Sequence, residues 1–451
     1  MLKRTGIVEG NLVVGQSGGP TAVINQSLMG VIREARFHRD CIRKIYGMHN
    51  GIEGFLKEDM IDLGGKLPRE LAEVANSPAS GLGSCRKKPT EDDCRKIFEV
   101  CRKYNIRYFL YIGGNDSALS ARIINKIASD NNYELRVFHV PKTIDNDLLV
   151  TDHCPGYGSA AKYVAQCFMG NDLDQRALPG IKIDVCMGRT AGWLTAASAL
   201  ARKHEGDGPH LIYVPERPKT LKEIISDISR VYKKYRRCLV AVSEGVCDRD
   251  GNEFLNSELI RRELSEMKME SVIKWMDAFG EMLKDAGRAE KDSFGHVQLS
   301  GTGALADMLA CVVATAMKRE SGKAPRVRSD TLGYAQRSFA GVVSDVDARE
   351  ALMVGEAAVK YAVMGNMDGS VILERTGTGE DYHVEPGLAT LEDVAGLSLI
   401  EAGKPNHKPL SDKFLNSEGN DVTPEFLEYA RPLVGTLPPK GLLRRGETLQ
   451  K

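Results

Sequence analysis

The chain has 451 residues, more than one hydrophobic core usually supports, so two or three packed units are expected. Hydrophobic residues at 42% and charged residues at 27% give an ordinary globular composition. Lys plus Arg and Asp plus Glu both number 61, which leaves no global field to draw the molecule to nucleic acid or acidic lipid, so any anion site must be built locally.

Ten cysteines lie scattered without a C-x-x-C pair, which argues against a zinc spacing or a secreted disulfide framework and favours a reduced, cytoplasmic setting. The N-terminus MLKRTGIVEGNLVVG lacks an apolar signal-peptide core. The longest mostly apolar stretch, 304–317, is too short to span a bilayer and contains Asp307. The reading is a soluble protein with no membrane or nucleic-acid partner.

Residues 12–15 read as a buried strand, followed by Gln16-Ser17-Gly18-Gly19-Pro20-Thr21 and an apolar-periodic helix to about 35. Such a unit presents backbone N–H groups and the positive helix end to an anion, although paired glycines serve a tight connection equally well. A second strand near 42–46 leads into a glycine-punctuated segment. The turn Gly81-Leu82-Gly83-Ser84-Cys85 then carries three cations, of which Arg86 is a candidate phosphate ligand.

A helix over 91–103 and a strand over 106–112 precede Gly113-Gly114-Asn115-Asp116-Ser117 and a helix over about 118–128, a second strand-glycine-helix unit. The apolar run 135–140 leads into Pro141-Lys142-Thr143-Ile144-Asp145-Asn146-Asp147. If the chain stays extended there, Thr143, Asp145 and Asp147 share one side and Ile144 points to the other. Asp-Asn-Asp is also ordinary turn chemistry. The stronger indication is convergence: three such turns after strands of one parallel sheet meet at its carboxyl edge, where a carboxylate can take a hydroxyl proton or hold a divalent cation.

A second α/β unit follows. Its elements are a helix over about 156–175, a strand over 181–186 ending in Met187-Gly188-Arg189, a small-residue helix over 194–201, and strands over 211–214 and 238–243, the latter ending in Glu244-Gly245, with a helix over 221–235 between them. Helices are expected over 253–264 and 269–283, and His296 falls in a short strand-like run. Gly301-Thr302-Gly303-Ala304-Leu305-Ala306 loosely echoes a dinucleotide fingerprint but lacks the acidic residue about twenty positions on, so it reads as a closely packed helix start. RVRSDTLGYAQR at 326–337 gathers three guanidinium groups suited to holding phosphate. A helix over 347–364, a strand over 370–373 and a loosely ordered tail from Leu437 complete the chain.

With these residues in hand, the chain resembles the phosphofructokinase family, more closely its pyrophosphate-dependent branch. The similarity covers about 12–363, and the remainder resembles the extension of the pyrophosphate-dependent members. SGGPTAVIN, GLGSCRKKP, YIGGNDS, PKTIDND, MGRTAGWL, VPE, SEG and RSDTLGYAQR carry it, in that order. The resemblance implies an α/β fold of two similar Rossmann-like three-layer domains with parallel-rich sheets, plus a C-terminal extension. The expected partition is 1–153 completed by about 264–318, 154–263 completed by about 319–360, and 361–451 as the extension.

The same resemblance implies reversible phosphoryl transfer from pyrophosphate to the 1-hydroxyl of fructose 6-phosphate. Asp145 would be the general base and Asp147 its electrostatic support; Thr143 and Arg189 would stabilise the transferring group. Met187, Gly188 and Glu244 match sugar contacts, and Arg328, Tyr334 and Arg337 the 6-phosphate clamp. One clamp arginine reaches across from a neighbouring subunit in the family, so Arg328 implies a homodimer or homotetramer with shared active sites. Gly18, Gly19 and Arg86 match the donor side.

Nucleotide-dependent relatives have GGDGS and PGTIDND where this chain has Asp116 and Lys142. A carboxylate at 116 would crowd and repel an α-phosphate, and an ammonium at 142 would seat the end of pyrophosphate. Magnesium is the implied cofactor, with Asp116 and Asn115 as candidate ligands, although Asn115 stands where many relatives have Asp. Gly180 replaces a phosphate-binding arginine of bacterial nucleotide-dependent members. The competing readings are an ATP-dependent kinase, the same chemistry on sedoheptulose 7-phosphate, a non-catalytic family member and an NAD-dependent dehydrogenase.

Overall fold

A computed structural model describes residues 7–286, 302–365 and 368–443. Its strands are β1 (Gly10–Gln16), β2 (Ile42–Met48), β3 (Met60–Asp62), β4 (Ile106–Gly113), β5 (Arg136–Pro141), β6 (Ile181–Cys186), β7 (Leu211–Tyr213), β8 (Cys238–Ser243), β9 (Val327–Thr331), β10 (Gly369–Thr376) and β11 (His383–Ala389). They form a seven-stranded sheet ordered β11-β10-β5-β4-β1-β2-β3 and a four-stranded sheet ordered β7-β8-β6-β9. The larger sheet is parallel from β10 to β2, with β11 and β3 antiparallel at its edges. The smaller is wholly parallel.

Both sheets are covered on both faces, which explains why their strands read as nearly unbroken apolar runs. In the larger sheet Leu12, Val14, Leu110 and Ile112 pack beneath the helices Ile24–Ala35 and Asp345–Met364. Val13, Phe109 and Tyr111, of opposite parity, pack beneath Glu91–Lys103 and Asn115–Asp130. In the smaller sheet Leu239 and Ala241 face Tyr157–Ala177 and Pro424–Val434, while Val240 and Val242 face Leu221–Tyr235, Glu270–Asp285 and Ala304–Ser321. Each unit therefore has three layers, as the family resemblance implies.

The way distant segments complete the two units differs from the expected partition. The helices at 270–285 and 304–321 lie on the smaller sheet, not the larger, through Met269, Val272, Met276, Leu305, Leu309 and Val312. The larger sheet is instead completed from the C-terminal side: β10 pairs with β5 at Gly369↔Phe138, and Asp345–Met364 crosses Ile24–Ala35. An amphipathic helix advertises its apolar stripe but not which sheet it will cover.

The structure adds β3, β11 and the helices Gly51–Leu56, Pro68–Ala75 and Pro424–Val434 to the expected elements. His296 and Gly301 lie outside the described residues, while Leu305 and Ala306 are buried at the start of their helix. The expectation of a loose tail from Leu437 fails at Lys440. Its ammonium is fully enclosed between Asp172 at 2.7 Å and Asp207 at 2.9 Å, and a buried ion pair can hold a terminus that little apolar surface anchors. Among the described residues no helix is long and apolar enough to cross a membrane.

The helices Ile24–Ala35 and Asp345–Met364 meet backbone to backbone. An added Cβ would lie 2.1 Å from the Leu352 carbonyl at Gly30 and 2.1 Å from the Ser27 carbonyl at Gly355. Gly30→Ala and Gly355→Ala should each destabilise the protein by about 1–3 kcal/mol, read as a lower thermal midpoint. Gly170→Ala, where a Cβ meets nothing within 4 Å, serves as the control and should leave the midpoint equal or higher.

Candidate active site

Adjacent parallel strands β1, β4 and β5 release their chains at the carboxyl edge of the larger sheet, and the three turns that follow converge there. Residues 17–19, 114–117 and 142–147 contribute to the lining of a cleft of about 210 Å³. The expected alternation holds along the third turn: Thr143, Asp145 and Asp147 line the cleft while Ile144 is 5% exposed and packed in the core. Asn146, with a left-handed φ of 55°, turns the chain between the two carboxylates, and its buried amide accepts from the Cys154 N–H at 3.0 Å.

Lys142 supplies the central charge. Its side chain is 3% exposed, and Nζ donates to the Gly19 carbonyl at 2.7 Å. Glycine at 18 and 19 permits this closeness, because an added Cβ would lie 3.2 Å from Lys142 Nζ at Gly18 and 2.9 Å from Arg337 Nη1 at Gly19. Burial pushes the Lys142 ammonium down to about 8 against the attraction of Asp145, and the charges of Arg337 and Arg86 push the same way.

Burial raises the Asp145 carboxyl well above the ordinary carboxylate range, with Asp147 and Glu244 adding to the rise and Lys142 and Arg337 opposing it. Burial also raises Asp147, against the charges of His407 and Lys408. Asn115 Nδ2 donates to Asp147 Oδ2 at 3.1 Å, and the Thr143 hydroxyl accepts from the Asp145 N–H at 3.1 Å. Both carboxyls are thus held above their ordinary range by burial, with nearby cations opposing the rise.

The cations after Cys85 divide their work. Arg86 and Lys87 both line the cleft, Lys87 pairing with Asp93 at 3.1 Å, and Lys88 pairs with Asp116 at 2.9 Å. Asp116 also lines the cleft from the first turn of Asn115–Asp130, but its charge is shared with Lys88. Among the described residues no group of three or more His, Cys, Asp or Glu side chains is placed to hold a metal ion. Beside the Asp145 carboxylate, the cleft offers the Asp147 carboxylate and the Asn115 Oδ1, which is buried without a partner. Such a sparse oxygen set suits a magnesium ion that keeps waters and phosphate oxygens as most of its shell.

The second group of predicted residues surrounds the ends of β6 and β8. Gly188, at φ 120°, donates its N–H to Glu244 Oε1 at 3.3 Å, and its carbonyl accepts from the Ser243 hydroxyl. Gln336, which the sequence reading passed over, accepts from the Met187 N–H at 3.2 Å and fixes that turn. Arg337 stacks 4.4 Å over the Tyr334 ring and carries its charge toward Gly19, Asp145 and Glu244, so it joins the two groups. Arg189 pairs through Nε with Glu253 at 3.5 Å and lies outside the residues lining the cleft.

Arg328 is not brought to this place. It projects from β9 beside Lys182 and Asp330, on a separate surface depression of about 180 Å³. Sequence reasoning also missed Asn406 and His407, which line the cleft from the C-terminal region, the His407 ring bonding to the Thr190 backbone beside Asp147. Nothing in the local pattern of GKPNHKPL distinguishes them from a surface loop.

A model of the family described as phosphofructokinase matches residues 11–362. The chain is 47% identical over 427 residues to a Rhodospirillum rubrum protein named pyrophosphate–fructose 6-phosphate 1-phosphotransferase, covering 95% of each. A Xanthomonas campestris protein of the same name is 36% identical over 95% of this chain and 92% of its own. The crystal structure of a pyrophosphate-dependent phosphofructokinase from Marinobacter aquaeolei superposes with a TM-score of 0.76 at 29% identity, covering 97% of this chain and 98% of that one.

The electrostatics can be read directly. In protein labelled at the aspartate carboxyl carbon, the Asp145 NMR resonance, identified by its loss in Asp145→Asn, should titrate above the ordinary carboxylate range. Lys142→Met should move the midpoint further up, because removing a nearby cation favours the neutral acid. A downward move would contradict the assignment of Lys142 as the counter-charge.

Proposed function

The chain belongs to the phosphofructokinase family, and we propose that it transfers a phosphoryl group reversibly between pyrophosphate and the 1-hydroxyl of fructose 6-phosphate, giving fructose 1,6-bisphosphate and phosphate. The observation that carries the choice of donor is Lys142. A buried ammonium on the Gly19 carbonyl, in the lining of a cleft of about 210 Å³, offers one compact charge to a short polyanion. Near-complete coverage of relatives with that named activity supports the reading.

Asp145 takes the proton of the sugar 1-hydroxyl. The freed oxygen attacks the terminal phosphorus of pyrophosphate while the bridging P–O bond breaks and phosphate leaves. A carboxyl raised by burial is a stronger base than an exposed one and still ionises near neutral pH, which suits proton abstraction from an alcohol. Asp147 reinforces the negative field around that proton. Thr143, Lys142 and Arg86 surround the transferring group, where the task is positioning and neutralisation, and Arg189, paired with Glu253 outside the cleft lining, would have to swing in to join them.

Met187, Gly188 and Glu244 hold the sugar hydroxyls, and Tyr334 and Arg337 its phosphate. Magnesium, bound with pyrophosphate, would be held by Asp147 and Asn115 and would neutralise oxygen charge; Asp116, paired with Lys88, is the weaker ligand. Arg328 is exposed on β9 and directed away from its own cleft, so we assign it to the clamp of a neighbouring copy in a homodimer or homotetramer.

A coupled assay at equal fructose 6-phosphate should give turnover with magnesium pyrophosphate and little with magnesium ATP; the reverse ratio would replace this reading by the nucleotide-dependent one. The double variant Asp116→Gly, Lys142→Gly should lose most of the pyrophosphate rate, and full retention would defeat the donor argument. Asp145→Ala should lower kcat by about two to four orders of magnitude while fructose 6-phosphate still binds by calorimetry.

A further inference from the structure

The loop after β5 is held in part by its own bonds, such as Cys154 N–H to Asn146 Oδ1 and Thr151 Oγ1 to the His153 carbonyl. Val150, a β-branched residue, takes a left-handed φ of 69°, and Asn146 takes 55°, so the arc from Asp145 to Asp152 contains two costly backbone conformations beside the carboxylates. Such conformations persist where the surroundings over-determine them. Here the surroundings come from the C-terminal region.

Lys408 follows the cleft-lining Asn406 and His407 and grips this arc at both ends. Its backbone N–H donates to the Asp147 carbonyl at 2.7 Å, and its ammonium donates to the carbonyls of Thr151 at 3.0 Å and Asp152 at 2.7 Å. Its carbonyl accepts from the Trp193 indole N–H at 3.2 Å, and the ammonium lies 5.3 Å from that ring centroid. Trp193 is 4% exposed and opens the short helix directly after the Arg189 turn of the smaller sheet. One residue therefore ties the strained arc of one unit to the turn of the other.

We propose that Lys408 is a positioning residue of the transfer reaction, holding the arc from Asp147 to Asp152 in its strained form and locking it to Trp193, so that the Asp145–Asp147 pair and the Arg189 turn keep one relative placement. An ammonium suits the task because it is a compact group with three donors, enough for two carbonyls and a ring face. A neutral side chain withdraws this donor from both carbonyls and leaves Asp152 with the Tyr429 hydroxyl alone. The proposal rests on the reading of Asp145 and Asp147 as the carboxylates that act on the sugar hydroxyl, and it does not depend on which phosphoryl donor is used.

The test compares full-length wild type with Lys408→Met, Lys408→Arg and Trp193→Phe. Wild-type turnover with magnesium pyrophosphate is measured first, and its absence would sink the donor reading alone. In Lys408→Met, kcat should fall about a hundredfold because the reacting groups are misplaced. KM for fructose 6-phosphate should change by less than about threefold, and Lys408→Arg should recover part of kcat.

Independently of any donor, amide hydrogen exchange of residues 143–152 should quicken by about tenfold or more in Lys408→Met while the helix Asn115–Asp130 exchanges as before. Trp193→Phe keeps a ring but loses the N–H, and should lower kcat by about threefold to tenfold at constant KM. If Lys408→Met does not accumulate as folded protein, Trp193→Phe decides alone. Unchanged exchange in the arc, or an unchanged kcat in a folded variant, would overturn the proposal.

Discussion

Burying a charge is the constraint on which this site depends. The Lys142 ammonium is almost entirely removed from water, and an uncompensated charge in that position would cost several kcal/mol. Partial compensation comes from the Gly19 carbonyl and from carboxylates that are themselves pushed toward neutrality by burial. Arg86 and Arg337 bring further positive charge close to the ammonium, offset by carboxyls that burial pushes toward neutrality. In a chain of zero formal net charge, no general basic surface accounts for this cluster of cations.

Most of that arrangement was legible in the sequence because it is written in short-range grammar. The three turns follow apolar runs, and parallel strands deliver their ends to one edge, so GGP, GGNDS and PKTIDND had to meet once the strands were adjacent. The grouping of Thr143, Asp145 and Asp147 on one side matched the expected alternation, although the chain there bends and passes through a left-handed Asn146 instead of staying extended. What stayed hidden depends on long-range placement. The pairing of Asp116 with Lys88, the seat of Gln336 on Met187 and the arrival of Asn406 and His407 at the cleft involve residues without local periodicity or motif. The assignment of helices 270–285 and 304–321 to the wrong sheet has the same origin.

The C-terminal region is accordingly less an appendage than a part of both units. Strands β10 and β11 extend the larger sheet, Pro424–Val434 packs against the smaller one, and the segment between them passes beneath the carboxylates. Tyr429 repeats in miniature what this region does: its hydroxyl accepts from Asn146 and donates to the Asp152 carbonyl. Two units joined by several crossings can hold a site between them only if something fixes their turns together. A polar network does this with directional bonds that apolar packing lacks.

Asp116 and Lys142, the two positions proposed to set the phosphoryl donor, are not equal in physical weight. Asp116 is half exposed and shares its charge with Lys88, so water and a counter-ion screen its repulsion of a further phosphate. Lys142 acts from inside, where the effective dielectric is lower and the same separation is worth more. On the proposed reading, discrimination between a short and a long polyphosphate rests first on a buried attraction to the terminal phosphates and second on Asp116 as a bulky wall. A glycine at 116 would open the wall without removing the attraction, whereas a glycine at 142 would remove the charge that makes a free diphosphate worth binding at all.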